Sequence, residues 1–146
     1  MDNTKENTNR QTNKPQTADT SNKYSSKTLP YLTSFNEVSE KFEVKANKAH
    51  QGQTNSTDLL AALKQRHPQV NLVLDHFSGD TAYIRIPNAQ HLTQNMGSAG
   101  ATLFLIEATY GFTAIPHVEV VNFAFKEGDH AVPGAYTRQD FQEFLK

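Results

Sequence analysis

Apolar side chains are sparse up to residue 28 and dense from Leu59 to Phe125, so the chain divides by pattern before any motif is considered. Ser56, Thr57 or Asp58 can cap a helix carrying Leu59, Leu60 and Leu63, and Pro68 stops it. Val70, Leu72 and Leu74 then alternate, as do Ala82, Ile84 and Ile86 beyond Ser78-Gly79-Asp80; two alternating runs around a short glycine loop predict a β-hairpin. Pro87 ends the second run. After a polar loop, Ala99, Leu103, Ile106 and Tyr110 form one stripe of a second helix, from Ser98 to about Phe112, and Leu105, Ala108 and Phe112 widen it. A helix this apolar should be buried against a sheet, with Gly111 and Pro116 marking its end. Val118 to Phe125 carries apolar residues on both faces and reads as a covered or central strand. Val132-Pro133-Gly134 reads as an irregular crossing, and Thr137 with Asp140 as a capping pair for a terminal turn holding Phe141, Phe144 and Leu145.

The order helix, strand, strand, helix, strand predicts an α+β domain over residues 57–146: a small three-stranded sheet with both helices packed on one face. Residues 1–28 hold only Met1, Ala18 and Tyr24 as apolar side chains. They cannot bury enough surface to offset backbone ordering at about 1–2 kcal/mol per residue, and read as a disordered polar tail or stalk. Residues 29–56 read as a partly ordered linker. Phe35, Val38 and Phe42 have helical spacing, which predicts a short helix around residues 36–44.

Composition removes several functions. There is no cysteine, which excludes disulfides, thiolate metal sites and a cysteine nucleophile. The formal charge is −1, and residues 58–146 carry six Lys/Arg against nine Asp/Glu, net −3, the wrong sign for a phosphate footprint. No nucleic-acid partner is expected. No apolar run is long enough to span a bilayer, and no signal peptide follows Met1.

The six histidines show no H-x-x-x-H or H-E-x-x-H spacing. His67, beside Pro68, suits a helix C-terminus, where a cationic imidazole is favoured. Asp75-His76 and Asp129-His130 both end predicted strands and could meet over a zinc-type ion. Strand neighbours point to opposite faces, however, and Asp and His also serve turns, so no metal is expected. Gly97-Ser98-Ala99-Gly100 lacks a nucleophile elbow, and the glycines there lack the lysine-ended phosphate-loop spacing. Glu107 sits in the apolar helix, where burial would raise its pKa; an exposed edge is the expected position. These readings imply no catalytic residues, no cofactor and no enzyme.

Leu59 to Tyr136 resembles the GerMN domain, the sporulation and spore-germination module of Gram-positive bacteria. The resemblance is carried by Met96-Gly97-Ser98-Ala99-Gly100-Ala101, by Glu107-Ala108-Thr109-Tyr110-Gly111-Phe112-Thr113, by Val118-Glu119-Val120-Val121-Asn122-Phe123 and by the turn Glu127-Gly128-Asp129. Gly111 stands where the family usually has threonine. The resemblance implies a small α+β fold related to ring-building domains of secretion and sporulation machinery, without catalysis. It implies an extracytoplasmic, envelope-associated setting, with a membrane tether outside this chain, as in lipoproteins. The alternative it implies is the extracytoplasmic regulatory domain of a membrane-bound anti-sigma factor. A protein or cell-wall partner is expected, with self-association by fold analogy. The expected contact surface comprises the helix start, Met96, Gly97 and Ser98, together with His130, Tyr136 and Arg138 on the later crossing.

Overall fold

The computed structural model describes residues 29–145; the predicted polar tail at 1–28 lies outside the described residues. An antiparallel hairpin, β1 (Tyr31–Asn36) and β2 (Lys41–Ala46), opens the fold. Helix α1 (Ser56–Arg66) follows, then β3 (Val73–Ser78), β4 (Thr81–Arg85), helix α2 (Gly97–Phe112), β5 (Val120–Ala124) and β6 (Gly134–Tyr136). A 3-10 segment at Arg138–Phe144 closes the chain. The architecture is α+β, as expected, but the strands form a four-stranded sheet in the order β3-β4-β5-β6 and a separate two-stranded one, not a three-stranded sheet.

The helix expected at residues 36–44 is instead the turn and second strand of the hairpin. Asn36 decides this: its side-chain oxygen accepts from the N–H groups of Val38 at 2.8 Å and Ser39 at 3.1 Å, an Asx-type turn that competes with helix. Phe35 and Phe42 then stand opposite each other with ring centroids 4.8 Å apart, while Val38, which helical spacing placed with them, is 95% exposed. The linker region is therefore built into the fold, with Leu29 and Phe42 in the same buried cluster as the helices.

Asn55 caps α1, accepting from the Asp58 N–H at 2.9 Å, one residue before the expected caps. β3 begins later than expected, because Val70 is tied to His67 in the turn after α1. A bulge between Leu74 and His76 shifts the alternation, leaving Asp75 beside Arg85. β4 and β5 pair in parallel, so α2 is the crossover between them. The missed strand β6 has three residues and follows Pro133, too short for alternation to show.

Helix α2 is buried at every position from Phe104 to Phe112, which places packing on all its sides. Ala82, Ile84, Val121 and Phe123 of the sheet share its core, β1 lies along it, and α1 approaches at Gly111. A Cβ on Gly111 would lie 2.8 Å from Leu59 Cδ1, so the glycine sets how closely α1 can pack. The other sheet face carries Thr81, Tyr83 and Arg85 of β4 with Val120 and Asn122 of β5, all exposed or half-buried.

Candidate functional site

The segment between β4 and α2 is anchored from within. Ala89, Leu92 and Thr93 are buried, and the Thr93 hydroxyl donates to the Ala89 carbonyl at 3.0 Å. His91–Asn95 forms one π-helical turn, closed by the Met96 N–H on the His91 carbonyl at 3.0 Å. Gly97, at φ +78°, then redirects the chain into α2. Ser98 Oγ lies 3.2 Å from His130 Nδ1, and the His130 N–H donates to the Thr93 carbonyl at 3.0 Å. Loop 126–131 is thus laced to the helix start. Gly128 permits the approach, since a Cβ there would lie 2.5 Å from Thr93 Cβ.

Two polar hollows flank this corner. One, of about 380 Å³, lies between Asn88, Thr93, Gln94, Lys126 and Glu127. The other, of about 330 Å³, is lined by Gln69, Asn88, Gln90, His91 and Asn95.

Of the six residues expected on one contact surface, Met96, Gly97, Ser98 and His130 lie at this corner. Tyr136 and Arg138 do not. Arg138 Nε donates to Thr113 Oγ1 at 2.8 Å and Nη2 to the Tyr110 carbonyl at 3.3 Å, at the far end of α2. The 16-residue helix separates the two groups by about 24 Å at 1.5 Å per residue. The Arg138 guanidinium lies 4.9 Å from the Tyr31 ring centre and 4.6 Å from that of Tyr110, satisfying helix carbonyls and holding β1 near them. The Tyr136 hydroxyl donates to the Val132 carbonyl at 2.5 Å, and its ring stacks on Phe141. Burial, with Asp140 nearby, pushes its phenol above the ordinary value.

Glu107 corrects the sequence reading most strongly. Expected at an exposed edge, it is fully buried. Its Oε1 accepts from Arg66 Nε at 2.7 Å and His67 Nε2 at 2.9 Å, and its Oε2 from the Thr33 N–H at 3.1 Å. An ionised carboxylate only accepts, so His67 carries a proton on Nε2. Burial would raise the Glu107 pKa, but the hydrogen bonds from His67 and Arg66, the Arg66 charge and the Thr33 N–H outweigh it and hold the group below its ordinary 4.5. Arg66 Nη2 also donates to the Thr33 carbonyl at 3.3 Å. The ion pair therefore meets the backbone of Thr33 on the strand edge facing away from β2, as another strand would.

The two Asp-His pairs do not converge. Asp75 accepts from Arg85 Nε at 2.8 Å, and His76 stacks on Tyr83 at 4.6 Å. Both lie on β3, at the opposite edge of the sheet from β6, which loop 126–131 precedes; three strand spacings amount to about 14 Å. Among the described residues no group of three or more His, Asp or Glu side chains is placed to hold a metal ion.

No family model, no curated protein and no solved structure matches this chain.

Proposed function

We propose that this chain is a non-catalytic interaction module of a Gram-positive envelope, sporulation or germination protein, working outside the cytoplasmic membrane. The observation that carries the reading is the helix start at Gly97 and Ser98. The glycine- and serine-rich segment, one of those on which the family resemblance rests, lies at a surface corner, laced to His130, which directly follows the resembling turn Glu127-Gly128-Asp129. Such a corner is a rigid, polar platform that presents side chains from two loops to a partner. The second reading, an extracytoplasmic regulatory domain of a membrane-bound anti-sigma factor, places the same corner in a sensor.

Protease treatment of intact source cells, followed by detection with an antibody against residues 57–146, tests the placement. Loss of signal from intact cells is the expected result. A signal that survives in intact cells and disappears only after lysis overturns both readings. Among membrane-bound products, a lipid-modified N-terminus favours the envelope protein, and an added cytoplasmic domain favours the regulator.

A further inference from the structure

The run Asn88-Ala89-Gln90-His91-Leu92-Thr93-Gln94-Asn95 combines a fixed backbone with an outward row of carboxamides. Ala89, Leu92 and Thr93 point into the core, which fixes the segment, while Asn88, Gln90, Gln94 and Asn95 are exposed. The π-helical turn is an uncommon geometry that recurs at functional sites; here it brings His91 and Asn95 to the rim of one hollow with Gln90. Gln69, from the turn after α1, completes that rim. The side chains of Gln69, Gln90, His91 and Asn95 make no hydrogen bond among the described residues. Their donors and acceptors are therefore free for a ligand.

The lining selects the ligand class. Apart from the His91 imidazole, the hollow of about 330 Å³ has no ionisable side chain and no apolar wall, and the adjoining hollow adds one cation, Lys126, and one anion, Glu127, so the lining carries no excess of either charge for an ionic ligand and little shelter for a hydrocarbon one. A carboxamide offers a donor and an acceptor side by side in one plane, which suits adjacent hydroxyls that both give and receive hydrogen bonds. The second hollow, of about 380 Å³, shares Asn88 and Gln90 with the first, so a linear ligand can cross the wall between them. We infer that the π-helical turn and its two hollows bind a neutral oligosaccharide. This rests on the reading of the chain as an interaction module and names the ligand class of the hollows that flank its helix-start corner.

Titrating the full ¹⁵N-labelled chain with three neutral tetrasaccharides, the β-1,4 oligomers of N-acetylglucosamine and of glucose and the α-1,4 oligomer of glucose, tests the inference. The expected result is amide shift changes confined to residues 88–95, 69 and 126–130 with at least one of them. Gln90→Ala with Asn95→Ala should weaken that binding at least about tenfold, as the loss of two hydrogen bonds implies. Both side chains are exposed, so the variant should keep the wild-type spectrum elsewhere. No shift with any of the three up to about 10 mM, an order of magnitude above a ~1 mM dissociation constant, overturns the inference. Equal binding by the double variant, or shifts mapping to another surface, does so too. Protease treatment of cells reads only topology, so the two proposals can fail separately.

Discussion

The Thr33 N–H donates to Glu107 Oε2 at 3.1 Å across a sequence separation of 74 residues, and this bond fastens the hairpin to the central helix. The carboxylate that receives it is held by Arg66 and His67 at the end of α1, so three elements meet at one side chain. Removing it should cost more than any surface substitution. Glu107→Ala leaves Arg66 and His67 without their acceptor and is expected to destabilise the protein by about 3–5 kcal/mol in urea unfolding. Arg66→Ala should cost less, about 1–2 kcal/mol, because that side chain is 37% exposed and water replaces part of the interaction. The two losses should not add, and a double-mutant cycle reads the coupling.

Acid should release the same fastening. A carboxyl whose pKa is lower in the folded state stabilises the fold above its unfolded value, and that contribution is lost as pH falls through the folded one. For Glu107 the contribution is complete above the ordinary 4.5 and falls away below it. Melting temperatures of wild type and Glu107→Gln should therefore differ most near neutral pH, and the gap should narrow progressively as the pH falls below 4.5. A gap that stays constant down to pH 3 would count against this assignment.

Gly128→Ala tests the lacing of the helix start. The new methyl would meet Thr93 Cβ at 2.5 Å and Thr93 Oγ1 at 2.7 Å, atoms of a buried residue with little room to move. A loss of about 1–3 kcal/mol is expected, with the largest amide shift changes at Thr93 and His130.

At the opposite end of α2, Arg138→Lys keeps the charge but loses the planar group stacked against two tyrosines and bonded to Thr113. A cost of about 1–2 kcal/mol is expected. Tyr136→Phe removes one hydrogen bond, to Val132, and should cost about 0.5–1.5 kcal/mol. Binding assays on this end need these conservative changes, since alanine at both positions would perturb packing before it perturbed a partner.

Local patterns carried the centre of the fold. Leu59 with Leu63, the Ala82–Ile84 alternation and the four-three-four stripe of α2 located α1, β4 and α2, and the Thr137–Asp140 capping box lies where its spacing placed it. Long-range decisions were not legible. Phe35, Val38 and Phe42 fit a helix by spacing, but the Asn36 side chain folded the turn and a cross-strand ring pair replaced the helical face. The environment of Glu107 depends on Arg66 and His67, 41 and 40 positions away, and no local period encodes that meeting. In the candidate site, the glycine- and serine-rich helix start was visible as a feature. The π-turn and its row of amides passed as an ordinary polar loop, because nothing in their spacing announces which backbone atoms stay fixed.

The hairpin and the four-stranded sheet share no backbone ladder; α2 stands between them, and the two are joined through side chains such as Glu107, Tyr110 and Arg138. The molecule thus has a seam. Amide protons of β1 and β2 should exchange with deuterium as one cooperative group, through an opening that leaves β4 and β5 protected, and the Thr33 amide should exchange at the pace of that opening.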